Sequence, residues 1–203
     1  MRREQPHAGK EKNMDRILFI NACVRPESRT RELAQAVLDG LSGQVEEVNL
    51  GREHIGILDW EALQKRDALV HSGDFSAPMF RYARQLAGAD EIVIAAPYWD
   101  LAFPALLKIY FESVMVSGLT FRYTPEGRPE SLCRARRLIY VTTAGGPIVP
   151  FHFGYDYVEA LARNFFGIPD VRCLTAENLD IVGVDPVPIL AKAKEEAKAL
   201  VSG

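Results

Sequence analysis

Short apolar runs alternate with segments of helical hydrophobic spacing along most of the chain. The apolar runs predict five strands, at residues 17–22, 45–50, 91–96, 138–143 and 171–176. The helical spacing predicts five helices, at residues 30–41, 76–87, 102–116, 155–166 and 186–201. Such alternation is typical of βαβ units, in which helices cover both faces of a parallel sheet. We therefore predict an α/β fold with a five-stranded parallel sheet in the order 2-1-3-4-5.

The length of the chain suits a single domain. It has 203 residues, of which 48% are hydrophobic, and domains usually have about 100 to 200 residues. Residues 1–13 carry many charges and show no periodicity. We expect a disordered tail there, with Met14 as a candidate natural start. Residues 14–203 are predicted to form the whole domain.

Charge and cysteine content exclude several classes of protein. The net charge is -3 and the basic residues are scattered, so no electrostatic signal for nucleic acid binding is present. Cys23, Cys133 and Cys173 lie far apart without a C-x-x-C pair, which predicts neither a disulfide framework nor a metal site. Apolar runs stop well short of the ~18 residues of a membrane span, and no secretory signal is visible. We expect a cytoplasmic protein with no membrane partner.

One basic cluster stands out, “CRARR” at residues 133–137. We interpret it as solvated residues before the fourth strand, with a contact to a cofactor phosphate as the alternative.

Parallel sheets bind ligands at the carboxyl ends of their strands, near the point where the strand order reverses. In the predicted order, the loops after residues 22, 96 and 143 lie side by side at that edge. These three loops are therefore the candidate functional site.

The first loop, within “ACVRPESRTREL”, has two incompatible interpretations. Cys23 through Thr30 matches C-x5-R-T, the pattern of a protein tyrosine phosphatase in which the Cys23 thiolate attacks a phosphate ester beside Arg29. Alternatively, Ser28, Arg29 and Thr30 hold the phosphate of a cofactor at a helix N-terminus, where unpaired N–H groups attract anions. A plain N-cap role for Ser28 is also open.

Two features bear on the phosphatase interpretation. Pro26 removes a donor and no glycine lies between Cys23 and Arg29, although a phosphate nest needs converging N–H groups. Asp185-Pro186 resembles the general acid of low-molecular-weight phosphatases, but Asp at the N-cap and Pro at N1 also start a helix. The sequence has neither a dinucleotide fingerprint nor a P-loop. A hydroxyl-rich loop suits a terminal monophosphate, such as the one that FMN carries.

The other two loops offer surfaces for a flat, hydrogen-bonding ring. “APYWDLAFPALLKIYFE” turns through Pro97 and supplies free backbone N–H groups beside Tyr98 and Trp99, although these rings also suit a core or an interface. The helix that follows is apolar almost all round, so one side is expected to face the sheet and another a second subunit. “TTAGGP” contains Gly145 and Gly146, which let a ring approach the main chain closely.

These motifs resemble those of the FMN-dependent NADH-azoreductases, a group of the flavodoxin-like NAD(P)H:quinone oxidoreductases. The resemblance runs from Arg16 to the C-terminus and rests on “ACVRPESRTREL”, “APYWDLAFPALLKIYFE”, “SGLTFRYTPEGRPESL” and “TTAGG”, in that order. The third motif is the most specific, because it has no generic structural reason to recur. The resemblance implies a flavodoxin-like three-layer fold and a homodimer with one FMN per subunit near the interface.

The resemblance also implies roles for individual residues. The FMN phosphate would be bound by Ser28, Arg29 and Thr30. The ring would meet Pro97, Tyr98, Trp99, Asp100 and Leu101, and its pyrimidine side would meet Thr143, Ala144, Gly145 and Gly146. The substrate pocket would be lined by Tyr123 and Phe165, the latter from the partner subunit.

Two positions depart from the family pattern. The serine usual after the first strand is Ala22 here, so one phosphate hydroxyl is absent and FMN affinity is expected to be lower. The asparagine usual in the second motif is Asp100, which only accepts hydrogen bonds when ionised. A carboxylate facing the flavin opposes the negative charge that reduction develops, so Asp100 is expected to lower the reduction potential if it faces the ring.

The implied enzyme transfers a hydride from NADH or NADPH to flavin N5, and a quinone or azo compound then takes two electrons from the same face, in a ping-pong sequence. No side-chain nucleophile is required, because the cofactor carries the chemistry. His152 is a candidate donor to a quinone oxygen, with a structural loop histidine as the alternative. Two alternative functions stay open: a phosphatase that uses Cys23 and Arg29, and a non-enzymatic electron carrier of the flavodoxin type.

Overall fold

The computed structural model describes residues 14–149 and 152–202, and the tail predicted at 1–13 lies outside the described residues. The strands among them are β1 (Arg16–Asn21), β2 (Gln44–Asn49), β3 (Glu91–Ala95), β4 (Phe121–Tyr123), β5 (Pro129–Ser131), β6 (Arg137–Thr143) and β7 (Asp170–Ala176). The helices are α1 (Arg29–Gly40), α2 (Trp60–Ser72), α3 (Arg81–Ala87), α4 (Ala105–Val114), α5 (Phe153–Asn164) and α6 (Pro186–Ser202), with a 3-10 helix at Pro78–Phe80.

Five strands form one parallel sheet in the order β2-β1-β3-β6-β7. This is the predicted order 2-1-3-4-5, and the predicted α/β fold is confirmed. The order reverses at β1, whose neighbours are β2 on one side and β3 on the other. A crevice therefore opens at the carboxyl ends of β1 and β3.

Helices cover both faces of the sheet, and successive residues of β1 point to opposite faces. Leu18 and Ile20 belong to a core cluster with residues of α3, α4 and α5. Ile17 and Phe19 belong to a second cluster with residues of α1 and α6. Burial on both faces explains why the central strands are continuous apolar runs rather than alternating ones.

Helix α2 is absent from the sequence prediction. None of its residues is buried. Leu69 and Val70 pack against the core while partly exposed, so the apolar positions of α2 leave only a weak periodic signal. Its ends carry standard caps. The Asp59 carboxylate accepts a hydrogen bond from the Ala62 N–H at 2.9 Å, and Gly73 ends the helix with a left-handed φ of 71°. These caps are the signal by which the sequence could have located the helix.

Two predicted helices begin later than expected, in both cases because of a proline. In the segment predicted as a helix at 76–87, the 3-10 turn Pro78–Phe80 precedes α3. The helix predicted at 102–116 begins only after Pro104. Proline fixes its own φ and disfavours the helical conformation at the residue before it.

The third sequence motif forms an antiparallel hairpin of β4 and β5, with a left-handed φ of 77° at Gly127 in its turn. Gly118 has a φ of 87°, and a Cβ there would lie 2.8 Å from the Phe75 ring. The buried Thr120 hydroxyl donates to the Val114 carbonyl at 2.8 Å. The residues of the motif therefore have structural roles specific to this fold.

The basic cluster at 133–137 includes the start of β6, at the opposite end of the sheet from the crevice. The Glu91 carboxylate, with 8% of its side chain exposed, lies 2.8 Å from Arg136 Nη2 and 2.7 Å from Arg137 Nη2. These arginines form ion pairs within the protein, so their position does not support the alternative of a contact to a cofactor phosphate.

Among the described residues, no helix combines the length and the apolar character that crossing a membrane requires. No group of three or more His, Cys, Asp or Glu side chains in the same part of the chain suits a metal ion. Cys23, Cys133 and Cys173 are free thiols.

Candidate functional site

The three predicted loops line one cavity at the carboxyl ends of β1, β3 and β6. Its volume is about 170 Å³. The predicted residues in its lining are Ser28, Arg29, Thr30, Pro97, Tyr98, Trp99, Thr143, Ala144 and Gly145. The lining also contains residues that the sequence analysis missed, namely Val24, Arg25, Glu27 and Asp180. The strand order therefore brings the loops together as expected.

The first loop places the N-terminus of α1 at the cavity. Ser28 is the N-cap, and its hydroxyl accepts a hydrogen bond from the Arg31 N–H at 3.3 Å. The capping role of Ser28 is thus present, and it leaves the hydroxyl able to donate to a ligand. The N–H groups of the first helical turn give the cavity a partial positive charge that favours an anion.

Thr30 joins the first loop to the third. Its hydroxyl lies 2.6 Å from the hydroxyl of Thr143, and Thr30 is only 1% exposed. Because the pair is buried, one hydroxyl satisfies the other in place of water. The Thr30 side chain therefore fixes the spacing of the two loops.

The start of the first loop is shaped by Asn21 rather than by Ala22. Ala22 is fully buried in the core, so its methyl group lies away from the cavity. The Asn21 side-chain oxygen accepts a hydrogen bond from the Cys23 N–H at 3.0 Å, and its amide nitrogen donates to Glu47 at 2.8 Å. Asn21, the last residue of β1, shapes the loop through these hydrogen bonds, and the sequence analysis missed it.

The Cys23 thiol is buried beneath the first loop, 3.7 Å from the Ala95 carbonyl oxygen. Burial raises the pKa of the Cys23 thiol, and the opposing effects of the Ser28 hydroxyl and the Arg31 charge are smaller. A phosphatase nucleophile needs a thiol whose pKa is lowered. The Asp185 carboxylate accepts a hydrogen bond at the start of α6, as expected for a helix cap. Both observations count against the phosphatase interpretation.

The second loop makes a tight turn from Trp99 to Ala102, closed by two backbone hydrogen bonds of 2.8 and 3.3 Å between these residues. Asp100 and Leu101 occupy its corner with φ values of 50° and 66°. This left-handed conformation costs a residue with a side chain roughly 1–2 kcal/mol. Asp100 and Leu101 are exposed. Backbone strain of this kind is concentrated at functional sites.

Two backbone N–H groups of the second loop donate within the protein. The Tyr98 N–H donates to the Thr143 carbonyl at 3.0 Å, and the Trp99 N–H donates within the turn. The N–H groups of Tyr98 and Trp99 themselves are therefore engaged within the protein. A ring placed at this loop would meet the corner at Asp100 and Leu101 instead.

The two glycines of the third loop have different surroundings. A Cβ at Gly145 would lie 2.5 Å from Oδ2 of Asp180, whereas a Cβ at Gly146 would meet no atom within 4 Å. Gly145 therefore makes room for a side chain of the protein. Gly146 leaves open surface on which a ligand can approach the main chain.

The substrate-pocket residues do not line this cavity within one chain. Tyr123 is 57% exposed, and Tyr123 and Phe165 both pack edge-on against Phe121. His152 is directed toward Cys173, with Nε2 3.8 Å from Sγ. The buried Nδ1 of His152 has no hydrogen-bond partner among the described residues. This placement favours a structural role for His152 over donation to a quinone.

A larger cavity of about 620 Å³ lies between residues 52–58, α3 and α4. The Glu53 carboxylate in its wall accepts hydrogen bonds from the Tyr82 hydroxyl at 2.7 Å and from Arg81 at 2.6 Å. The hydrogen bond from Tyr82 is the main cause that lowers the pKa of Glu53. The apolar part of the wall consists of Ile55, Ile57, Leu58, Ala62, Pro78, Met79 and Ile109.

Comparison with known proteins identifies the class of this chain. Residues 15–201 match a family described as having a flavodoxin-like fold. The chain therefore belongs to the flavodoxin-like family.

Two relatives of this chain are FMN-dependent enzymes. An FMN-dependent NADH:quinone oxidoreductase 2 of Clostridium acetobutylicum is 35% identical over 201 residues, which cover 91% of this chain and 99% of the relative. An FMN-dependent NADH:quinone oxidoreductase of Lachnoclostridium phytofermentans is 33% identical over 193 residues, with coverages of 91% and 96%. The resemblance found in the sequence motifs is confirmed.

Solved structures share the fold. An azoreductase from Bacillus anthracis has a TM-score of 0.81 at 24% identity, covering 93% of this chain and 99% of its own. An FMN-dependent NADH-azoreductase from the same species, in complex with FMN, has a TM-score of 0.78 at 23% identity, with coverages of 93% and 98%. The predicted flavodoxin-like fold is thereby confirmed.

Proposed function

We propose that this protein is an FMN-dependent oxidoreductase that takes two electrons from NADH or NADPH and passes them to a quinone or an azo compound. The observation that carries the proposal is the convergence of three loops on one cavity, in a chain whose relatives are named FMN-dependent NADH:quinone oxidoreductases. The azo compound comes from the names of the structural neighbours. The free thiols fit a reducing cytoplasm, where we place the protein.

The residues at the cavity fit a phosphorylated flavin. The start of α1 supplies N–H groups and the Ser28 hydroxyl for the phosphate. The cavity of about 170 Å³ is smaller than the ~300–1,000 Å³ of a typical small-molecule site. We therefore place the phosphate and its carbon chain inside the cavity and the ring outside it. The open space beside Gly146 supports this placement.

When bound, FMN would supply the redox chemistry: its N5 would accept a hydride from NADH or NADPH, and the reduced flavin would give two electrons to the acceptor. The protein binds the FMN and orients its ring. The N-terminus of α1 offsets the phosphate charge. The Trp99 ring, 37% exposed, covers apolar ring surface and excludes water. No side chain is assigned as a nucleophile.

We also propose that the protein is a homodimer in which the second copy packs on the α4 side. Ile57, in the wall of the larger cavity, and Trp60, at the start of α2, are 66% and 71% exposed, and an exposed apolar patch is typical of a protein–protein contact. Tyr123 and Phe165 lie outside the cavity of their own chain, which fits a substrate pocket completed by a second subunit.

Sedimentation velocity tests the dimer. We expect the wild type to sediment with twice the mass of one chain and Ile57→Glu to shift toward the monomer, because a buried unpaired carboxylate is costly. Val182→Glu is the matched control, since Val182 is fully exposed on the loop that precedes α6. A monomeric wild type at micromolar concentration, or equal dissociation of both variants, contradicts the dimer.

An absorption spectrum of the purified protein with added FMN, followed by NADH without oxygen, tests the proposed activity. We expect FMN to bind, its absorption to bleach when NADH is added, and the absorption to return when a quinone is supplied. Bound FMN that NADH does not bleach would support the electron carrier. A protein that binds no flavin and cleaves an aryl phosphate would support the phosphatase.

Cys23→Ser separates the enzyme classes in the same assay. We expect this variant to keep NADH-dependent bleaching, because the buried thiol takes no part in the proposed chemistry. Loss of an aryl phosphatase activity in Cys23→Ser, with no effect of Cys173→Ser, would contradict the oxidoreductase.

A further inference from the structure

Arg29 and Asp180 form an ion pair at the edge of the cavity. Arg29 Nη2 lies 2.7 Å from Asp180 Oδ1, and Arg29 Nη1 donates to the Leu179 carbonyl at 2.8 Å. Asp180 follows β7, outside every motif that the sequence analysis singled out. The guanidinium predicted to bind the phosphate is therefore held by a carboxylate of the protein itself.

The main chain holds Asp180 in this position. Its N–H donates to the Gly145 carbonyl at 2.9 Å, and the Leu179 N–H donates to the Ala144 carbonyl at 3.1 Å. A Cβ at Gly145 would lie 2.5 Å from Asp180 Oδ2, so glycine is what leaves room for the carboxylate. The Asp180 side chain is 64% exposed. It can therefore rotate into water without a change in the backbone.

The charges around the cavity place the Asp180 carboxylate in competition with a bound phosphate for Arg29. Arg25 and Arg29 contribute two positive side chains to the lining, and Glu27 and Asp180 contribute two negative ones. A phosphate monoester brings about 1.5 to 2 further negative charges at neutral pH. Carboxylate and phosphate are both preferred partners of a guanidinium. They compete for Arg29, and they repel one another if both stay.

We propose that Asp180 competes with the cofactor phosphate for Arg29, and thereby sets how strongly the site prefers FMN over riboflavin, the same flavin without the phosphate. The proposal rests on the proposed FMN-dependent function. In the cofactor-free protein Asp180 neutralises Arg29. When FMN binds, the phosphate replaces the carboxylate, which turns toward solvent. Riboflavin does not require this exchange.

Asp180→Asn tests the competition, because it removes the charge and keeps the size of the side chain. Dissociation constants for FMN and riboflavin are measured by quenching of flavin fluorescence in the wild type and the variant. We expect FMN to bind about tenfold more tightly to Asp180→Asn, the order of effect of one charge near a phosphate at a partly exposed site. Riboflavin binding is expected to stay unchanged. High salt is expected to narrow the difference for FMN.

Glu27→Gln is the matched control, because it removes the same charge from the same cavity without touching the Arg29–Asp180 pair. A clearly smaller gain in FMN affinity is expected for Glu27→Gln. The proposal is overturned if Asp180→Asn leaves FMN binding unchanged or weakens it, if riboflavin binding tightens equally, or if Glu27→Gln gives the same gain. In those cases FMN still binds, so the proposed function stands. A wild type that binds neither flavin overturns both.

Discussion

Replacing Gly146 with alanine is expected to weaken FMN binding about 30-fold while the protein without FMN becomes slightly more stable than the wild type. A Cβ at this position meets no protein atom within 4 Å, and its φ is not in the left-handed region. Such a replacement stabilises a fold by about 0.4–1 kcal/mol. If the flavin ring lies on this surface, the added methyl group overlaps it, and overpacking of this kind costs about 2 kcal/mol.

Two measurements check this prediction, a fluorescence titration with FMN and thermal unfolding of the cofactor-free protein. Gly56→Ala is the matched control, because a Cβ there also meets nothing within 4 Å and Gly56 lies in the loop before α2. Its FMN affinity is expected to equal that of the wild type. If Gly146→Ala binds FMN as tightly as the wild type, the flavin ring does not lie on the surface at Gly146.

Replacing Glu91 with alanine is expected to lower the free energy of unfolding by about 3 kcal/mol, which for a chain of this size lowers the melting temperature by roughly 6–12 °C. The Arg137 side chain, 15% exposed, pairs with Glu91 at 2.7 Å. Without Glu91 this nearly buried guanidinium loses its partner, and an unpaired buried charge is strongly destabilising. Urea unfolding and calorimetry measure the change.

Glu195→Ala provides the contrast for Glu91→Ala. The Glu195–Lys198 pair has the same 2.7 Å separation, but its side chains are 71% and 67% exposed. Its loss is expected to cost less than about 1 kcal/mol, because solvent screens exposed pairs. An equal decrease in the free energy of unfolding for the two variants would show that burial does not set the strength of these ion pairs. FMN affinity is expected to be unchanged in Glu91→Ala, since Glu91 lies at the opposite end of the sheet from the cavity.

The strand order could be predicted because the central strands are buried on both faces and appear as continuous apolar runs. Helix α2 could not be found in the same way, since it buries no residue and only its caps mark it. The hairpin of β4 and β5 escapes prediction because three-residue strands are too short for a hydrophobic alternation to be recognised.

The candidate site could be located from the sequence, but its internal contacts could not. The three loops were identified because each follows a strand at one edge of the sheet. The Thr30–Thr143 and Arg29–Asp180 contacts join residues 113 and 151 positions apart. Contacts of this range depend on how loops pack, which no local pattern encodes. Nor could the pattern show that the two glycines of the third loop have different roles.

Because the Thr30 and Thr143 hydroxyls bind one another, the spacing of the two loops that carry them is set by the protein's own side chains. Ordering of loops is part of the free-energy cost of any association. Because the spacing of these two loops is already set, little of this cost remains when FMN binds.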